Sequence, residues 1–180
     1  MKKLSYKIAL GGVIASIAVL SMFLTGFGPF LTYICPMFAG MLMIMIVIEV
    51  SQKWAFATYV AVSILSVFMT PDREAAMLFI FLFGHYPILK VSIEKIKSHL
   101  LEWVVKIAVF NISVISCYWL ILNIFMPNVL DSLSDWGKYG ILIFLGFANL
   151  TFILYDFFLS SAAALYCKWF RTKFLRKFKK

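Results

Sequence analysis

Six apolar runs fill most of this chain: Ile8–Thr25, Phe30–Ile48, Trp54–Met69, Ala75–Leu89, Ile107–Met126 and Tyr139–Cys167. A helix that crosses a bilayer needs about 20 apolar residues, so this pattern predicts six spans. The third and fourth runs are short. Flanking residues extend them, because Lys53 and Lys90 can reach the interface on flexible stems. The sixth is long and predicts a tilted or protruding helix. The chain is 63% hydrophobic and 14% charged, against about 45–50% and about 25% in soluble domains. One small core cannot bury that much apolar surface. A barrel would instead show short alternating segments. The fold class is therefore an all-α membrane protein with six transmembrane helices, one integral domain over residues 1–180.

The breaks between runs carry the orientation. Gly26-Phe27-Gly28-Pro29 separates runs one and two, and Thr70 to Glu74 separates three and four, with Pro71-Asp72 as a turn or helix start. With the N-terminus inside, 15 of the 17 Lys and Arg fall on the inner side, and only Arg73 and Lys138 fall outside. Such segregation predicts cytoplasmic N- and C-termini. Lys2, Lys3 and Lys7 precede the first run as in a signal anchor. No small-x-small cleavage site follows, which predicts a retained helix. Between Lys90 and Lys106, Leu89, Ile93, Ile96, Leu100 and Trp103 recur at helical spacing, predicting an interfacial or extended helix that could dock a partner. The tail, residues 168–180, holds seven basic residues interleaved with aromatics. Its place directly after a span points to anionic lipid rather than nucleic acid.

Asp156 is the residue that most demands an account. It lies inside the sixth run, with no Lys or Arg in that run. An acid at such depth is expensive and marks a functional site by default. The alternative is a structural pair, with His85 as a candidate. Asn149 lies seven residues earlier on the same helix face. In the fifth run Asn111, Tyr118, Trp119 and Asn123 interrupt the apolar sequence. In the fourth, His85 and Tyr86 precede Pro87, which should free a backbone carbonyl one turn earlier. Apolar walls with a few convergent polar groups suit a small-molecule pocket. The candidate binding residues are His85, Tyr86, Tyr118, Trp119, Asn123, Trp136, Asn149 and Asp156. The plainer reading is that these groups hydrogen-bond neighbouring helices or form an aromatic belt.

Enzyme motifs are missing. The sequence has no P-loop, glycine fingerprint, nucleophile elbow or paired metal-binding histidines, and nothing in it calls for a metal or cofactor. Cys35, Cys117 and Cys167 have no metal-like spacing and read as small apolar residues.

The first run carries two small-x-x-x-small pairs, Gly11 with Ala15 and Gly12 with Ser16, which let another helix approach closely. That face packs within the protein or docks a partner subunit. With these pairs, six spans and cytoplasmic termini, the chain resembles the substrate-binding S components of energy-coupling factor (ECF) transporters. The likeness covers nearly its whole length. In that family an Ala-x-x-x-Ala motif on the first helix docks a transmembrane coupling subunit; here Gly11 and Ala15 stand in its place. The resemblance implies an outward-facing pocket for a small nutrient such as a vitamin. It also implies cytoplasmic ATPases as partners and a bacterial plasma membrane location. A membrane scaffold or accessory subunit is the alternative, and a lipid-modifying enzyme a more distant one.

Overall fold

The computed structural model describes residues 4–124 and 140–170, with side chains described within 4–120 and 143–168. It is helical throughout these residues apart from short turns. The helices are α1 (Leu4–Phe23), α2 (Leu31–Glu49), α3 (Gln52–Met69), α4 (Arg73–Leu78), α5 (Tyr86–Ile93), α6 (His99–Ile124) and α7 (Gly140–Leu165). A 3₁₀ turn, Leu24–Phe27, closes α1. A π-helical segment, Phe79–Phe83, links α4 to α5, so that Arg73–Ile93 forms one membrane-length rod. Six helical segments are thus long and apolar enough to cross a membrane, the number the sequence predicts.

Burial sets the arrangement. In the most apolar 18-residue stretch of each span, 61% is buried for the Arg73–Ile93 rod and 50% for α2, whereas no other span exceeds 33%. These two are therefore the central pair. On one side, Ile14, Ala18 and Met22 of α1 and Ala55 and Val62 of α3 pack on Ala39, Met43 and Ile46 of α2. On the other, Phe110, Val114 and Cys117 of α6 and Phe152, Tyr155 and Leu159 of α7 pack on Leu78, Leu82, Phe83 and Tyr86. The outer faces stay apolar: Val13, Ile17, Phe68, Ile112, Phe157 and Phe158 are all exposed. Water would penalise that surface and lipid would not.

The rod departs from regular α-helix for an identifiable reason. Pro87 has no N–H, so the Phe83 carbonyl loses its helical partner. The Tyr155 hydroxyl of α7 donates to that carbonyl at 3.2 Å. Gly84 N–H reaches back to Phe79 O at 2.8 Å, a π-type bond. The Tyr59 hydroxyl of α3 caps the Ile80 carbonyl at 2.6 Å. Gly40 makes the junction possible: a Cβ there would lie 2.2 Å from Phe83 O and 2.7 Å from Tyr155 Oη.

Two ends can be distinguished. At one, Gln52 of α3 donates to Ile88 O (3.1 Å) and Ser92 Oγ (2.8 Å) of α5, and Lys7 lies over the Trp54 ring. This basic end also carries Lys53, Lys95, Lys97 and Lys168. At the opposite, acidic end, Asp72 caps α4 by accepting from Glu74 N at 2.9 Å. Thr32 of α2 donates to its other oxygen at 2.6 Å.

The Lys90–Lys106 segment differs from expectation. It is no separate interfacial helix. α5 ends at Ile93, residues 94–98 turn, and α6 starts at His99. Lys90 and Lys106 do not reach outward; they are 2% and 3% exposed. The two membrane helices rotate to bury these lysines, which splits the apolar stripe: Ile93 goes inside while Leu100 is 81% exposed.

Candidate functional site

A half-open cleft of about 210 Å³ lies between α2, the α4–π rod, α6 and α7 in the acidic half of the bundle. Tyr33 and Tyr118 stand nearest its acidic end; Phe144, Phe147, Ala148 and Thr151 of α7 line one wall; Leu78, Leu82 and Val114 line the rest. Its floor is Phe83, Phe110 and Phe152. Phe110 and Phe152 stack with ring centroids 4.3 Å apart. Tyr118 meets Phe144 edge-on at 4.9 Å. The volume exceeds the roughly 150 Å³ that a benzene-binding cavity provides. It falls short of the about 300 Å³ usual for drug-sized ligands. A single substituted ring is the size of molecule it can take.

The cleft's polar groups are few. Tyr33 Oη donates to Glu74 Oε1 at 3.1 Å. Tyr118 also lies within interaction range of Glu74 and Tyr33. The Thr151 hydroxyl is committed to the Phe147 carbonyl at 3.0 Å.

Beyond the Phe110–Phe152 stack, toward the basic end, lies a buried ion network. Asp156 Oδ1 accepts from Lys90 Nζ and, at 2.5 Å, from Tyr86 Oη. Its Oδ2 pairs with Lys106 Nζ at 3.2 Å. Lys90 reaches Glu94 at 3.2 Å, and Lys106 reaches Glu102 at 2.7 Å and Glu94 at 3.6 Å. Two lysines thus meet three carboxylates across α5, α6 and α7. An acid alone at this depth would be expelled or neutralised; this one is compensated on both oxygens.

The sequence-predicted residues are distributed unevenly over this geometry. Tyr118 lines the cleft. His85 and Tyr86 line a second, water-sized cavity that shares Leu82, Phe83, Phe110 and Phe152 with it. His85 Nδ1 sits 3.3 Å from Ile80 O and Nε2 3.4 Å from Ser113 Oγ. His85 is therefore not the partner of Asp156 that the sequence suggested; Lys90 and Lys106 are. Asn149 exchanges amide bonds with Asn111 at 3.0 and 3.1 Å, tying α6 to α7. Trp119 is 65% exposed on the outside of α6. Asn123 belongs to α6, but its side chain, like all of Trp136, lies outside the described residues. The first-helix pairs divide. Gly11 faces inward, where a Cβ would meet Thr58 at 3.3 Å, and Ala15 packs against the core. Gly12 and Ser16 face outward, with nothing within 4 Å of a Cβ at Gly12.

Sequence reasoning missed Tyr33 and the phenylalanines. Phenylalanine within a span signals lipid as readily as ligand. Tyr33 gave a usable signal as a polar-tipped aromatic near the start of the second run.

No protein-family model, curated protein or solved structure matches the chain.

Proposed function

We propose that this chain is the solute-capture subunit of a membrane importer, of the S-component type. The observation that carries the reading is the aromatic cleft. It is large enough for a small molecule, unlike the water-sized cavity beside it, and it lies in the half of the bundle away from the basic end. By the positive-inside rule the basic end is cytoplasmic, both termini with it, and the cleft belongs to the outward half. The solute is a small nutrient, the membrane a bacterial plasma membrane, and the basic tail rests on anionic lipid. The sequence carries no nucleotide-binding motif, so the energy would come from a coupling subunit and cytoplasmic ATPases. The open Gly12–Ser16 face of α1 would admit a helix of that coupling subunit. Asp156, held by two lysines, serves as a lock between helices rather than as a chemical group in turnover.

The test is recovery of partners. A tagged chain is extracted from its native membrane in mild detergent, and co-purifying proteins are quantified by mass spectrometry. The proposal predicts an ATPase pair and a polytopic partner, both depleted by Gly12→Leu. Extraction of the chain without any ATPase overturns the importer reading.

A further inference from the structure

The cleft's lining also points to the chemical class of its occupant. Seven of its twelve described lining residues are aromatic, and no Lys, Arg or His is among these twelve. Ring faces carry negative potential and attract a cation that has shed its water. Behind the two tyrosines lies Glu74, which accepts the Tyr33 hydroxyl proton at 3.1 Å. A phenol that donates to a carboxylate has an electron-richer ring, so Glu74 strengthens the attraction without lining the cleft. Asp72, two residues earlier, adds a second negative charge near this end.

The described basic residue beside these carboxylates, Arg73, keeps its charge but does not line the cleft. It turns its guanidinium to the Val67 carbonyl of α3. The buried Lys90 and Lys106 lie beyond the Phe110–Phe152 stack and are engaged by Asp156, Glu94 and Glu102. An anion would meet ring faces backed by a carboxylate, with no cationic side chain among the described lining residues to receive it. A neutral ring would gain only burial.

We propose that the cleft selects a small organic cation, one aromatic ring bearing a quaternary or protonated nitrogen. The inference rests on the cleft being the binding site. Its closing experiment separates the two claims. Three probes of similar size are measured by equilibrium dialysis against the full chain in detergent: phenyltrimethylammonium (cationic), 2-phenyl-2-propanol (neutral) and benzoate (anionic). The Ala148→Phe variant, which fills the cleft from α7, corrects for partition into the micelle. The expected result is cation affinity about tenfold or more above the neutral probe, and benzoate weaker than both. Glu74→Gln should shrink the cation's advantage to under about threefold, and Tyr118→Phe, which keeps the ring, should reduce it less. Neutral or anionic probes that bind as tightly as the cation, and are blocked by Ala148→Phe, overturn the cation assignment and leave the cleft standing. Binding of all three that Ala148→Phe leaves unchanged, or binding of none, overturns the cleft reading itself.

Discussion

Tyr155 donates its hydroxyl to the Phe83 carbonyl at 3.2 Å, and Phe83 is the residue whose carbonyl Pro87 leaves without an amide. A defect in one span is thus repaired by a side chain from another. In lipid no water is present to do it. Tyr155→Phe should cost about 1 kcal/mol of stability in detergent unfolding. Pro87→Ala restores an amide that competes for the same carbonyl. In that background Tyr155→Phe should cost clearly less, a coupling a double-mutant cycle reads directly. Equal costs in both backgrounds would show that the hydroxyl does not serve the freed carbonyl.

Asp156→Asn should destabilise the protein by about 3 kcal/mol, because it leaves the buried Lys90 and Lys106 only the less buried Glu94 and Glu102 as acids. Adding Lys90→Met should recover part of the loss by removing one of the under-compensated charges. Thermal unfolding in detergent decides the matter. An unchanged midpoint for Asp156→Asn would mean the network does not hold the helices together.

Much of this fold is legible in the sequence. Six apolar runs became six membrane-length helical segments, because apolarity and flanking residues suffice to specify a span. The carbonyl freed by Pro87 was legible too, since proline chemistry is local. The partners of Asp156 were not. Lys90 and Lys106 are 66 and 50 residues away. Each sits near the end of its run, where a lysine reads as an interface anchor. Only the rotation of α5 and α6 turns them inward, and that rotation is a tertiary property. The cleft was half legible. Tyr118 signalled it by polarity within a span. The Phe walls did not, because phenylalanines that face lipid and those that line a cleft have the same local sequence.

Gly40 and Gly12 should respond in opposite ways to alanine. At Gly40 a Cβ would lie 2.2 Å from a backbone oxygen, so α2 must move away from the rod. A loss of several kcal/mol or failure to accumulate is expected. At Gly12 a Cβ meets nothing within 4 Å. Gly12→Ala should be neutral or stabilising by up to about 1 kcal/mol through helix propensity. Melting of the two variants side by side checks both. A Gly40→Ala protein as stable as wild type would refute the close approach.

The Asn111–Asn149 pair joins α6 to α7 beside the cleft. Interhelical hydrogen bonds in membranes average about 0.6 kcal/mol, with a maximum near 1.7. Asn149→Leu should therefore lower stability only modestly and leave cleft binding within about threefold of wild type. Abolished binding in a stable Asn149→Leu protein would make the amide a ligand contact instead of a brace.

The most direct measurement is native mass spectrometry of the gently purified chain beside its Ala148→Phe variant. The account predicts a non-covalent adduct of one small molecule on the wild type, absent from the variant. A wild-type spectrum without adduct, or an adduct equally retained by Ala148→Phe, would contradict it.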